Sequence, residues 1–86
     1  MHAAVFRVTI KDREKGEKFL KEQIVPTVSQ APGFVAGYWV NLGEQGTSVV
    51  VFESEDAARQ AVEGNPPPAD AVTVESMDFG EVVAHA

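Results

Sequence analysis

The 86-residue chain contains no cysteine. Disulfide staples and thiolate metal ligands are therefore excluded, and a reducing compartment is compatible with the composition. Long apolar runs are also missing: no stretch approaches the roughly 20 apolar residues with which a helix spans a bilayer. The opening MHAAVFRVTI has no basic n-region, and its apolar residues alternate with Arg7 and Thr9, so it reads as a strand and not as a signal peptide. Basic charge is scarce. Seven Lys and Arg against thirteen Asp and Glu give a formal charge of −6, which repels phosphate backbones and anionic lipid alike. Nucleic acid and membrane are thus not expected partners, and a cytoplasmic protein is expected. Phosphate-cradling glycine loops, nucleophile elbows and metal-binding helix motifs do not occur either.

What is present fits one small domain over residues 1–86. A domain of this size hides a smaller fraction of its unfolded surface than a large one, and with no disulfide available, association between chains is the remaining route to extra burial. AAVFRVTI at 3–10 is rich in β-branched and aromatic residues, with Phe6, Val8 and Ile10 on one face and Val5, Arg7 and Thr9 on the other. Asp12 is placed to cap a first helix whose inner side carries Gly16, Phe19, Leu20 and Ile24. Glu14 with Lys18 and Glu17 with Lys21 have the favourable spacing for ion pairs along it. Pro26 predicts a kink or pause near Val25 before a short continuation through Val28, and Pro32 with Gly33 ends the helix.

A second strand follows from Phe34 to about Leu42, and GEQG at 43–46 forms a short turn into TSVVVFE, an antiparallel partner. Ser54 caps a second helix carrying Ala57, Ala58, Ala61 and Val62 as its apolar stripe, closed by Gly64 and Pro66. NPPPAD predicts a stiff extended connection. AVTVESMDFGEVVAHA then gives one or two strands, with Gly80 as an expected bulge or bend.

The order strand, helix, strand, strand, helix, strand predicts an α+β, ferredoxin-like βαββαβ sandwich: a four-stranded antiparallel sheet with two helices on one face. Within QAPGFVAGYWVN, alternation puts Phe34, Ala36, Tyr38 and Val40 on one side and Val35, Gly37 and Trp39 on the other, so both faces are apolar. Two helices cover one face only. The other is expected to meet a second copy of the chain, giving a two-fold homodimer packed sheet to sheet.

Three segments resemble the dimeric α/β-barrel superfamily, and within it the antibiotic-biosynthesis-monooxygenase-like domains. They are APGFVAGYW after a proline-interrupted helix, VVVFESEDAARQAVEG as strand then capped helix, and DFGEVVAHA as a closing strand. In this pattern Pro32, Gly33 and Phe34 fix the turn into the second strand, and Phe52, Glu53 and Ser54 end the third strand at a helix cap. The resemblance implies a ferredoxin-like monomer, a homodimer whose sheets form a barrel, and a pocket between sheet and helices in each subunit. Family members include cofactor-independent oxygenases of polycyclic phenols, haem-degrading enzymes and proteins without assigned activity. The haem-degrading members use an asparagine, a tryptophan and a helix-borne histidine; neither predicted helix here has a histidine, which argues against haem.

Trp39 and Asn41 share a face of the second strand and offer a flat wall plus an amide able to bond a phenol or quinone oxygen. The family's phenol oxygenases also use tryptophan and asparagine, which makes these two the candidate catalytic pair. The plainer alternative is that Trp39 packs in the core or the dimer interface and Asn41 caps the hairpin. Tyr38, facing the opposite way, and Arg7 are candidate substrate-binding residues; otherwise Tyr38 is an interface residue and Arg7 pairs with Glu53 or Glu75. His2 and His85 come from antiparallel neighbouring strands and can approach each other, but two ligands without a third make a poor metal site. The expected function is a cofactor-free monooxygenase-like protein that binds a small aromatic substrate and needs neither metal nor cofactor. The alternative is a non-catalytic dimeric module that binds a small ligand or a protein.

Overall fold

Asp12 and Ser54 each open a helix. In the computed structural model, which describes residues 1–67 and 69–86, the Asp12 carboxylate accepts from the Lys15 amide at 3.1 Å, and the Ser54 hydroxyl accepts from the Ala57 amide at 3.1 Å. Each cap supplies an acceptor to a first-turn amide that has no partner within its own helix. The elements are β1 (His2–Ile10), α1 (Arg13–Phe19), a π-helical segment (Leu20–Ile24), α2 (Val25–Ser29), β2 (Phe34–Leu42), β3 (Gln45–Phe52), α3 (Glu55–Gly64) and β4 (Val72–Glu81). The helical pieces from Arg13 to Ser29 follow one another without a break, so the order is the one expected.

Pro26 does not interrupt this run. The chain passes it in a widened turn, in which the Val25 amide donates to the Leu20 carbonyl five residues earlier. The expected ion pairs of Glu14 and Glu17 with the lysines that follow are replaced by one between Arg13 and Glu17, 3.3 Å apart.

The strands form one antiparallel sheet in the order β2-β3-β1-β4. β2 and β3 are joined through Gly43 and Glu44, and Gly43 takes the positive φ of 81° that such a tight turn demands. Register puts Ala4, Phe6 and Val8 of β1 beside Val50, Ser48 and Gly46 of β3, with Gly37, Trp39 and Asn41 of β2 continuing the same face. On this face Val50 and Phe52 pack against Val28 of α2 and Ala58 and Ala61 of α3, with Ile24, Phe34, Trp39 and Phe79 at the margin. The Phe34 and Phe52 rings meet edge to face, 6.0 Å apart at 79°. The Arg59 guanidinium of α3 lies 4.4 Å above the Phe79 ring and roofs the outer strand β4.

Two expectations are corrected. Strict alternation put Phe34 with Tyr38, but Phe34 pairs with Phe52 while Ala36 pairs with Val51, so Val35 is an extra residue and Phe34 turns to the helix side. The irregularity in β4 lies at Glu75, between the partners of Arg7 and Val8, whereas Gly80 pairs regularly with Ala3. β4 is a single strand. Pro68, within the connection expected to be extended, lies outside the described residues.

The opposite face carries Val5, Tyr38, Val40, Leu42 and Val49, exposed by 38%, 67%, 47%, 58% and 37%. No described helix is long and apolar enough to cross a membrane.

Candidate functional site

Residues of α1 and the π-helical segment approach the sheet without burying a single side chain completely. Phe19, Leu20 and Ile24 stay half-buried because the space beneath them is a cavity of about 310 Å³. That lies at the lower end of the range for small-molecule sites, and the walls are of the same apolar kind. The sheet contributes Phe6, Val8, Trp39, Val50 and Phe52; Val28 and Val62 close the sides.

Polar groups enter at defined places. Arg13, Glu17 and Lys21, four residues apart along the helical run, are exposed and form a charged rim. Asn65 is tied down, since its side-chain amide donates to the Ala61 carbonyl at 2.8 Å; the Thr47 hydroxyl, which donates to the Phe6 carbonyl at 3.0 Å, lies on the opposite face with Arg7 and Val40. Trp39 and Asn41 both line the cavity, as their common face predicts, and the Trp39 indole lies back over Gly37. Ser48, which pairs with Trp39 across the strands, also lines it and is buried. Sequence reasoning passed over Ser48 among the valines of TSVVVF, although alternation with Val50 and Phe52 would have put it on the inner face.

The other candidates lie elsewhere. Tyr38 and Arg7 project from the opposite face of the sheet, and neither lines the cavity. Among the described residues Arg7 makes no ion pair, and the Glu75 carboxylate instead accepts from the Thr9 hydroxyl at 2.8 Å. His2 pairs with Glu81 on β4, and His85 lies past the end of that strand. No group of three or more metal-ligating side chains occurs among the described residues.

The loop that brings Asn65 and Pro67 to the rim is fastened to the first helix and to the residues just before it. The Lys11 ammonium donates to the Ala69 carbonyl at 3.0 Å, and Lys15 pairs with Asp70. The hydrogen bond from Lys15 holds the Asp70 carboxyl below its ordinary range, and the same bond together with the attraction of the two charges raises the Lys15 ammonium.

No family model matches the sequence, and no curated protein matches it. Solved structures do match. SnoaB, a cofactor-independent oxygenase from Streptomyces nogalater, superposes with a TM-score of 0.74 at 16% identity, over 98% of this chain and 94% of SnoaB. The chain shares its fold. MupZ from Pseudomonas fluorescens gives a TM-score of 0.74 at 16% identity over 91% of this chain, which spans 65% of MupZ. The heme-degrader MhuD from Mycobacterium tuberculosis, solved with two hemes in its active site, gives 0.55 at 21% identity, over 96% of this chain and 98% of MhuD. These proteins carry antibiotic-biosynthesis-monooxygenase-like domains, and the ferredoxin-like fold implied by the resemblance is the fold observed. At such identities the likeness is one of fold, and fold does not choose among activities.

The residues around the cavity do not suit haem. Its iron is held by histidine, cysteine, methionine or tyrosine, and none of these is among the described cavity-lining residues.

Proposed function

We propose that the chain binds a small aromatic molecule of the phenol or quinone type in this cavity and acts on it as a cofactor-independent monooxygenase. The observation that carries the reading is the apolar cavity with Trp39 and Asn41 on one wall. Trp39 supplies a flat surface against which a ring stacks, and the Asn41 amide a hydrogen bond to an oxygen bearing negative charge. In such chemistry the electron-rich substrate itself reduces dioxygen: an anthrone methylene loses two hydrogens, gains one oxygen atom and becomes a carbonyl, while the second oxygen leaves as water. The protein contributes orientation, desolvation and stabilisation of the anionic oxygen. The fold shared with SnoaB, itself a cofactor-independent oxygenase, supports this reading.

Oxygen uptake with a panel of anthrones and quinols tests it. Consumption with product formation is expected, reduced by Trp39→Phe and by Asn41→Ala; no uptake with any of the panel, or variants as active as the parent, rejects it.

One observation favours a second reading, that of a ligand-binding module without catalysis. Inside the rim of Arg13, Glu17 and Lys21 the described lining residues carry no titratable side chain to act as a base. Quenching of Trp39 fluorescence by ligand without turnover would favour this reading over the first.

The proposal includes a homodimer formed through the open sheet face, with the cytoplasm as its place of action. Five large apolar side chains exposed on one face, Val5, Tyr38, Val40, Leu42 and Val49, support the dimer. Light scattering should give twice the 9.2 kDa chain mass at micromolar concentration; a stable single chain would reject it.

A further inference from the structure

We propose that the Ser48 hydroxyl binds an oxygen of the cavity's ligand other than the one met by the exposed Asn41 amide, so that the site selects flat apolar molecules carrying an uncharged hydroxyl or carbonyl group at its depth. The inference rests on the proposed function, because it takes the cavity to hold an aromatic ligand.

Ser48 is the one buried polar residue among those described, 8% exposed. It lies on the central strand β3 between Phe6 of β1 and Trp39 of β2, and it lines the cavity. The Asn65 side chain is engaged by a backbone carbonyl and Thr47 lies on the opposite face of the sheet, whereas no side-chain hydrogen bond among the described residues uses Ser48. A buried hydroxyl without a partner is unfavourable, and native structures rarely leave one so. Among the described residues, the single enclosed side-chain atom that lacks a partner is His2 Nδ1. The Ser48 oxygen therefore keeps accessible surface, and the open space in front of it is the cavity.

The surroundings define what it can bind. Phe6, Val50 and Phe52 bring ring and aliphatic surface to the cavity wall around the hydroxyl, Trp39 adds an uncharged ring with one N–H donor, and the charged Arg13, Glu17 and Lys21 are confined to the exposed rim. A carboxylate or phosphate at the depth of Ser48 would lie in apolar surroundings without a counter-charge. A serine hydroxyl both donates and accepts, so it takes the O–H of a phenol or the C=O of a quinone or ketone equally well. The indole of Trp39, its cross-strand neighbour, is placed to stack on the ring that carries this oxygen.

The test uses a matched pair of probes, 1-naphthol and naphthalene, which share the ring system and differ by one hydroxyl. Titration of the ¹⁵N-labelled chain, read at the indole resonance of its single tryptophan, gives both affinities. The wild type should prefer 1-naphthol by about tenfold, and Ser48→Ala should cut the preference to about twofold or less while leaving naphthalene affinity nearly unchanged. A preference that survives in a folded Ser48→Ala variant overturns the proposal, as does equal affinity of the wild type for both probes; in either case the aromatic-binding cavity stands. If the wild type binds neither probe, the proposed function falls and the anchor with it. Should Ser48→Ala not fold, intermolecular NOEs in the wild type decide: the hydroxyl-bearing edge of 1-naphthol against the Ser48 β-protons supports the proposal, and the opposite edge overturns it.

Discussion

Gly37 makes the room that the Trp39 indole occupies. A Cβ on Gly37 would stand 2.9 Å from Trp39 Cη2, closer than real side chains approach, and 3.0 Å from Cζ3. The ring lies back along its own strand because the residue two positions earlier on the same face has no side chain to hold it off.

Gly37→Ala should therefore push the indole out of place. Overpacking of this kind destabilises by about 1–3 kcal/mol, readable by urea unfolding, and the emission maximum of Trp39 should move with it. An alanine variant with parent-like stability and emission would contradict the close approach.

Gly46 is the opposite case. It lies on the inner face with φ in the ordinary range, and a Cβ would meet Val8 Cγ2 at 3.4 Å and Ile10 Cδ1 at 3.6 Å, ordinary contact distances. Gly46→Ala should raise stability by about 0.4–1 kcal/mol, chiefly by restricting the unfolded chain. Chemical denaturation checks this, and a loss of stability would refute it.

The open sheet face offers a variant that touches neither core nor cavity. Val49→Glu introduces a charge into the proposed dimer interface while pointing away from Ser48 and Trp39. The scattering mass should fall from twice to once the 9.2 kDa of the chain, and thermal stability should fall with the lost burial. A Val49→Glu protein that still weighs as two chains would remove this face from the interface.

The Lys15–Asp70 pair predicts a pH dependence of stability. The Asp70 carboxyl is lowered in the folded chain, chiefly by its hydrogen bond from Lys15, so its contribution is present above the ordinary value of 3.8 and fades as pH falls through the lowered one. The Lys15 ammonium is raised, so the contribution is also present below 10.5 and fades as pH rises through the raised value. Both side chains are more than half exposed, which keeps the effect small and sensitive to salt. Asp70→Asn should unfold at a lower temperature than the wild type at about pH 7, and the two should converge towards about pH 2. Curves that stay parallel throughout would count against the pair.

Much of the fold was legible because its signals are local. Asp12 and Ser54 could be read as caps since each precedes an amphipathic stretch, and Trp39 and Asn41 could be put on one face since a regular strand repeats every two residues. The two bulges were not legible. An extra residue at Val35 or Glu75 is decided by how neighbouring strands register, and it reverses the facing of whatever lies beyond it. The choice of Arg13 over Lys21 as the partner of Glu17 was equally hidden, because exposed ion pairs differ little in free energy. The cavity is a sum of side-chain volumes from strands and helices distant in sequence, so no single stretch announces it, and Ser48 acquires its interest only once that space is known.

The π-helical segment at Leu20–Ile24 separates two kinds of wall. On the sheet side, position is dictated by a ladder of backbone bonds that a change of side chain hardly disturbs. On the helical side, Phe19, Leu20 and Ile24 project from a span whose outward surface is charged and which buries nothing completely. Replacing one of them reshapes the chamber while leaving the strand pairing intact. Descendants of this sequence, natural or made in the laboratory, therefore have an inexpensive way to change what they accommodate: three aliphatic or aromatic positions can drift while the scaffold beneath them is inherited unaltered.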